Sequence, residues 1–157
     1  MARTPVITSY ASPFWLLKSE PDAWSWEQQV AKGKAGEEWT GVRNYQARNT
    51  MRAMLKGDLG FFYHSNEGKE IVGIVEVIRT AAPDPSDDTG KWESVKIRAV
   101  EPVPVPQTLD AMRLDPALAE MVLVKNSRLS VQPVTADQWA HICTLGGVKG
   151  RALKAKE

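Results

Sequence analysis

The stretch WTGVRNYQARNTMRAMLKGDLGFFYHSN, residues 39–66, holds the features around which the rest of the chain can be interpreted. It opens on an aromatic residue in a glycine turn, Trp39-Thr40-Gly41, and an arginine and two amides follow directly. A short helical pattern then leads into an aromatic strand that ends at Tyr63-His64-Ser65-Asn66. A planar polar ligand such as a nucleobase needs this mixture, because rings stack on its faces and polar side chains bond to its edges.

A helix is predicted over residues 45–56, because Asn44 is a good N-cap and apolar residues recur at helical spacing. Those apolar residues are Ala47, Met51, Met54 and Leu55. Three basic side chains also recur every four residues and would form one stripe along the helix: Arg48, Arg52 and Lys56. Together with Arg43 they are candidates for contact with phosphates, although a solvated helix face explains the stripe equally well.

The remaining chain alternates between short strands and short helices. Apolar or alternating patterns predict strands over 14–17, 59–64, 71–78, 92–100 and 128–132. Capping boxes at Ser25/Gln28 and Thr135/Gln138 predict helices over 26–32 and 135–141, and two more short helices fit 108–124. The segment 83–90 reads as a solvated acidic loop, and Pro102, Pro104 and Pro106 as an extended spacer.

These elements predict an α+β protein, a small, partly closed antiparallel β-barrel of five to six strands with peripheral helices. The length of 157 residues fits one domain over residues 13–147, with a flexible N-terminal arm over 1–12 and a basic flexible tail over 148–157. The net charge of +1 argues against a protein that grips long duplexes mainly through phosphates. A lone cysteine, no bilayer-length apolar run and no secretion signal together lead us to expect a location in the cytoplasm, away from membranes. We also expect a monomer.

Five segments together resemble a known family: FWLLKSEPDAWSW from residue 14, W-x-GVRNYQARN from 39, GDLGFFYHSN from 57, IVGIVEV from 71 and SRLSVQPVT from 127. They are similar to the EVE domain, a member of the PUA-like superfamily of small β-barrels, and the likeness covers residues 14–142. The resemblance implies binding of a nucleic acid through a modified base held in an aromatic-lined pocket. It implies a 5-substituted cytosine in DNA, taken out of the stack, with RNA also open. It implies neither a cofactor nor catalysis.

Carried over residue by residue, the resemblance implies a pocket built from five places in the chain. The ligand-binding residues that it implies are Trp15, Lys18, Ser19, Glu20, Trp39, Val42, Asn44, Tyr63, His64, Ser65, Ser127, Arg128, Leu129 and Ser130. Trp39 or Tyr63 would stack on the base, while Asn44 and Ser19 would bond its Watson–Crick edge. Glu20 would accept from an exocyclic amine, as carboxylates do with cytosine.

Other interpretations of single residues stay open at this stage. Trp39 is alternatively a core tryptophan whose N–H meets a backbone carbonyl. His64 with Glu20 as acid and base would instead describe an enzyme acting on a nucleotide or a modified RNA base. No nucleophile elbow or triad motif accompanies them, so we expect a neutral structural or ligand-bonding histidine. His64, His141 and Cys143 do not have the spacing of a zinc site, and no metal or cofactor is expected.

Overall fold

A computed structural model describes residues 14–126 and 128–149, which form a single six-stranded sheet with short helices around it. The strands are β1 (Phe14–Ser19), β2 (Glu37–Glu38), β3 (Leu59–His64), β4 (Glu70–Pro83), β5 (Glu93–Thr108) and β6 (Val131–Val134). The helices are α1 (Trp26–Ala31), α2 (Tyr45–Arg52), α3 (Leu109–Arg113), α4 (Val122–Lys125) and α5 (Ala136–Leu145). Two 3₁₀ turns lie at Gly33–Ala35 and Pro116–Leu118. The predicted α+β class with five to six strands is confirmed.

The sheet is mixed rather than purely antiparallel, which corrects the predicted pairing. Its strand order is β2-β5-β4-β3-β1-β6, and no hydrogen bonds join the two outer strands among the described residues. Strands β1 and β3 run parallel, with Phe14 opposite Leu59 and Ser19 opposite His64. A parallel pair needs a long crossover, and the chain between β1 and β3 supplies it with α1 and α2. The carboxyl ends of β1 and β3 therefore lie side by side.

Two hydrophobic cores lie on opposite faces of this sheet. Along β3, Phe61 and Tyr63 belong to one core and Phe62 to the other, as side-chain alternation requires. The first core is completed by α5, whose Trp139 stacks on Phe61 with ring centroids 4.0 Å apart. The second core is covered by α2 and by the segment that contains Trp39. Each face of β3 is thus buried, which explains why its aromatic run is continuous.

The predicted proline spacer is wrong, because its residues belong to β5. The pairing of β4 with β5 jumps from Gly73 opposite Pro102 to Ile71 opposite Gln107. Residues 103–106 therefore form a bulge that lies across from Val72 alone. A proline in a bulge removes no ladder hydrogen bond, so the strand continues through the proline-rich segment. Pro133, predicted to end the last strand, likewise lies inside β6, which is an edge of the sheet.

The helix starts agree with the prediction, and the helix ends less so. Both capping boxes are present, and the side chain of Asn44 accepts the N–H of Ala47. Helix α2 ends at Arg52 instead of residue 56, so Lys56 lies beyond the helix and Leu55 is exposed. The last helix continues past residue 141 to Leu145. Thr108 to Val124 contains two short helices separated by a 3₁₀ turn.

The ends of the predicted domain fall partly outside the described residues. The predicted arm over 1–12 and most of the predicted tail over 148–157 lie there. Val148, placed in the tail by the sequence, is buried and donates its N–H to the carbonyl oxygen of Cys143 at 2.9 Å. Within the part of the chain that the structure describes, no helix has the length and apolar character to cross a bilayer.

Candidate nucleic-acid interface

Three neighbouring chain segments meet at one end of the sheet and bring serines together there. Strand β1 ends at Ser19, and the N–H of Ser65 donates to the carbonyl oxygen of Ser19 at 2.9 Å. On its other side, the N–H of Lys18 donates to the carbonyl oxygen of Ser130 at 2.9 Å. Because β1 lies between β3 and β6, these two bonds extend the sheet into the loops that follow. Polar groups from distant parts of the sequence thus share one edge.

The segment around Trp39 continues from β2, which is the edge strand at the opposite end of the strand order from β6. Strand β2 pairs with β5, and the N–H of Trp39 continues that pairing by donating to the carbonyl oxygen of Val95 at 2.7 Å. The ring of Trp39 meets Phe62 edge to face, with centroids 5.6 Å apart. Only 8% of Trp39 is exposed. It is therefore a core residue, which agrees with the alternative interpretation of Trp39 as a core tryptophan.

The acidic loop over 83–90 is bound to the segment that follows Trp39 and is not merely a solvated turn, because the side chain of its Asp84 is buried. The side chain of Asp84 is 0% exposed and accepts from the N–H of Gly41 at 2.9 Å. It also pairs with Arg43 at 3.1 Å and accepts from the backbone and the hydroxyl of Ser86, both at 2.7 Å. Burial raises the pKa of Asp84, but the hydrogen bonds from Ser86, Gly41 and Arg43 lower it further, so the net shift is downward. An ionised Asp84 fixes the chain just after Trp39.

A cavity of about 670 Å³ lies where these segments meet. Its volume is within the range of about 300–1,000 Å³ that is typical of small-ligand sites. The lining residues come from the ends of β1 and β3, the segment over 37–41 and the loop before β6. They are Lys18, Ser19, Glu20, Ala23, Trp24, Glu37, Glu38, Trp39, Thr40, Gly41, Ser65, Asn66, Arg128 and Ser130.

Seven of the residues implied by the resemblance line this cavity: Lys18, Ser19, Glu20, Trp39, Ser65, Arg128 and Ser130. They offer hydroxyls, a carboxylate and two cationic side chains. Desolvation lowers the pKa of Lys18, whose ammonium lies 5.8 Å from the ring centroid of Tyr63. Among the described residues, the guanidinium of Arg128 has no hydrogen-bond or ion-pair partner. Arg128 is therefore available to an anionic ligand.

Trp24 is a cavity residue that the sequence reasoning did not select. Its indole N–H donates to the buried side chain of Gln29 at 2.8 Å, and its carbonyl oxygen accepts from the hydroxyl of Ser19 at 2.6 Å. The indole bond holds the ring in place, and Trp24 is partly exposed and lines the cavity, as Trp39 does. Trp24 lies within the FWLLKSEPDAWSW segment that carries the resemblance, and this position in the sequence could have identified it as a pocket residue.

Two of the implied aromatic residues lie elsewhere. Trp15 is 1% exposed, and its indole N–H donates to Asp58 at 2.9 Å. Tyr63 belongs to the first core, across the sheet from Trp39. Burial raises the pKa of Tyr63 to about 12. Neither ring lines the cavity, so the structure offers Trp24 and Trp39 as its aromatic walls.

The other implied residues that the structure describes do not line the cavity. Val42 and Leu129 are buried in the second core, and Asn44 caps α2. His64 accepts the backbone N–H of Trp26 at 3.1 Å through Nε2. Ser127 lies outside the described residues. In the described ranges, no group of three or more histidine, cysteine, aspartate or glutamate side chains could hold a metal ion.

The proposed basic stripe is largely engaged within the protein. Arg52 forms a two-pronged contact with Glu93, with distances of 2.7 and 3.2 Å, and Arg43 pairs with Asp84. Arg48 donates to the carbonyl oxygen of Lys91 at 3.0 Å. None of these arginines lines the cavity. A phosphate would have to replace these contacts to bind the stripe.

The chain is similar to a protein family, to a human protein and to solved structures over most of its length. The EVE domain family matches residues 13–145 of the chain. An NMR structure of a protein from Rhodopseudomonas palustris shares 59% sequence identity, with a TM-score of 0.83 over 88% of this chain and 95% of that one. Human thymocyte nuclear protein 1 is 34% identical, over 85% of this chain and 74% of that protein.

A further solved structure shows human THYN1 protein in complex with DNA that contains 5-methylcytosine. It is 31% identical to this chain and has a TM-score of 0.78, over 87% of this chain and 99% of that one. The family match spans nearly the whole described fold, and the relatives are similar over most of their own length. The chain therefore belongs to the EVE domain family.

Proposed function

We propose that this protein is a non-catalytic reader of a modified base, and that its ligand is a 5-substituted cytosine in DNA held in the cavity. The observation that carries the proposal is the cavity itself, which combines two tryptophan rings with edge-bonding polar groups. The complex of the human relative with DNA containing 5-methylcytosine supports the choice of ligand. A base must leave its stack to enter such a cavity, so single strands and mismatches should bind more readily than matched duplexes.

Each part of the proposed ligand has a partner in the lining. Trp24 or Trp39 would stack on the base, a contact worth about 1–3 kcal/mol. Glu20 and Ser19 would bond the Watson–Crick edge, with the carboxylate accepting from the exocyclic amine. The 5-substituent would pack on the tryptophan rings or Ala23, which line the same cavity. Val42 and Leu129 are buried in the core and would act only by supporting this lining.

Arg128 is our candidate for a phosphate contact, in preference to the stripe on α2. Arg128 lines the cavity and is exposed. The guanidinium groups of Arg43 and Arg52 are already paired with carboxylates. A phosphate contact by an unpaired cation releases counterions and gives binding a salt dependence.

The enzyme alternative would need His64 and Glu20 to work as acid and base. His64 does not line the cavity, and its Nε2 already accepts the N–H of Trp26. This arrangement supports a binding role. We also propose that the protein acts as a monomer in the cytoplasm, where a lone buried thiol such as Cys143 is stable in reduced form.

A binding screen with product analysis tests this proposal. Purified protein would be titrated with DNA and RNA oligonucleotides that carry single modified bases, and every sample would then be digested and its nucleosides identified by mass spectrometry. We expect tightest binding to 5-substituted cytosine in DNA, with all nucleosides recovered unchanged. Turnover of any base would support the enzyme alternative. Tightest binding to a modified RNA base would show that the ligand is that base and not a 5-substituted cytosine in DNA.

A further inference from the structure

A group of aromatic and basic side chains lies on the surface outside the cavity lining. The rings of Tyr45 and Trp92 lie 4.8 Å apart between centroids, tilted by 31°. The Cζ atom of Arg48 lies 4.7 Å from the Tyr45 ring centroid and 5.8 Å from that of Trp92. We call these three residues the Tyr45 platform. Tyr45 is 54% exposed although its ring contacts both Trp92 and Arg48.

The guanidinium of the platform is held in place by hydrogen bonds within the protein. The guanidinium of Arg48 donates through Nη1 to the carbonyl oxygen of Lys91 at 3.0 Å. Its Nε and Nη2 both donate to the side chain of Asn49, at 3.4 and 3.2 Å. These bonds hold the guanidinium beside the two rings and use three of its five N–H donors.

The side chains around the platform carry equal numbers of positive and negative charges. Residues 43–52 and 84–93 carry four cations and four carboxylates: Arg43, Arg48, Arg52 and Lys91 with Asp84, Asp87, Asp88 and Glu93. Two of the cations are paired within the protein, as Arg43–Asp84 and Arg52–Glu93. With the charges balanced, the exposed ring of Tyr45 is what this surface offers, and the group that binds there would present a flat ring of its own. A nucleobase has that chemistry.

The platform lies next to the cavity along the chain. Gly41 lines the cavity, and Tyr45 follows four residues later, so their Cα atoms are at most about 14 Å apart. Trp92 is connected to the same place, because its carbonyl oxygen accepts the N–H of Asp84, whose side chain accepts from Gly41. Bases stack at about 3.4 Å per nucleotide, so a nucleotide within about four positions of the cavity can reach the platform.

We infer that the Tyr45 platform stacks a base of the strand that flanks the base held in the cavity. The inference rests on the proposed function for the identity of that strand. Stacking would give the protein a second contact with single-stranded nucleic acid that depends little on salt and not at all on the modification. The affinity would then come from two sites, of which the cavity alone distinguishes modified from plain bases.

Fluorescent oligonucleotides test this directly. A single strand with one 5-methylcytosine would carry 2-aminopurine at successive positions on either side, and wild type, Tyr45→Ala and Tyr45→Phe would be compared. We expect quenching at one flanking position with wild type and Tyr45→Phe, and none with Tyr45→Ala. Affinity should fall roughly 5- to 150-fold in Tyr45→Ala, equally for methylated and plain strands, with an unchanged slope against salt.

Two results would overturn the inference: no quenched position with wild type, or full affinity in Tyr45→Ala. The wild-type quenching experiment decides the matter even where Tyr45→Ala lowers the melting temperature. Failure of the proposed function has a different signature, which is equal affinity of wild type for methylated and plain strands. In that case the effect of Tyr45→Ala on plain single strands would still support the platform.

Discussion

The buried carboxylate of Asp84 accepts the backbone N–H of Gly41 at 2.9 Å and so ties the acidic loop to the wall of the cavity. Gly41 adopts a left-handed conformation with φ of 85°, which glycine tolerates without strain. This hydrogen bond, which we call the Asp84 clasp, therefore stabilises a turn that glycine permits but does not enforce by itself. It also holds Arg43, because the same carboxylate oxygen accepts from that guanidinium at 3.1 Å.

Replacing Asp84 by Asn should weaken the fold and the binding site together. An amide has one oxygen and one nitrogen in place of two accepting oxygens, so a donor from Ser86, Gly41 or Arg43 loses its partner at the buried side chain. We expect the free energy of unfolding to fall by about 1–3 kcal/mol in chemical denaturation, and base affinity to fall as well. Asp88→Asn is a matched control on the same loop, because Asp88 is exposed. Equal free energies of unfolding for Asp84→Asn and Asp88→Asn would show that the Asp84 clasp does not stabilise the fold.

Trp39→Ala should destabilise the protein as well as remove a wall of the cavity. Trp39 is buried in the second core against Phe62, and truncation of such a ring costs about 3–5 kcal/mol. Trp24 is more exposed, so Trp24→Ala should reduce base affinity with a smaller loss of melting temperature. Differential scanning calorimetry and titration would measure both. A Trp39→Ala protein as stable as wild type would contradict its placement in the core.

Arg128→Gln should reduce the dependence of binding on salt. Loss of one phosphate contact lowers the slope of log affinity against log salt by about one unit, for modified and plain strands alike. Arg52→Gln is the matched control, because the Arg52 guanidinium is already held by Glu93. We expect little change in its slope. A larger change for Arg52→Gln than for Arg128→Gln would return the phosphate contact to the stripe on α2.

Stability should fall as the pH rises above about 10, partly because of Tyr63. Its pKa is raised to about 12 in the folded protein by burial, whereas an unfolded tyrosine has a pKa of about 10. Between these values the unfolded chain loses the proton and the folded chain keeps it, so ionisation favours unfolding. Denaturation of wild type and Tyr63→Phe across this window measures the effect. The variant should lose less stability, and identical profiles would contradict the assignment.

Local signals in the sequence predicted the local structure well. The caps at Ser25, Asn44 and Thr135 act within three residues, and all three helices begin where these caps predict. The aromatic strand over 59–64 also appears with the predicted bounds. The segments that resemble the EVE domain bring seven of the implied residues to one cavity.

The features that the sequence did not predict depend on contacts between distant residues. The proline-rich part of β5 is a strand because its register with β4 skips residues 103–106. Asp84 looked solvated because its partners, Gly41 and Arg43, lie more than forty positions away in the chain. The resemblance implies Tyr63 in the pocket, whereas side-chain alternation along β3 places its ring in the first core.

Equilibrium titration with matched DNA is the most direct test of the proposed reader. Oligonucleotides with cytosine, 5-methylcytosine or 5-hydroxymethylcytosine at one position would be titrated into wild type and Trp24→Ala, as single strands and as duplexes. Burial of a methyl group contributes about 0.8 kcal/mol and one hydrogen bond about 0.5–1.5 kcal/mol. We therefore predict about fourfold tighter binding of wild type to 5-methylcytosine and about tenfold or more to 5-hydroxymethylcytosine, both reduced in Trp24→Ala. Equal affinity of wild type for all three bases would contradict the account.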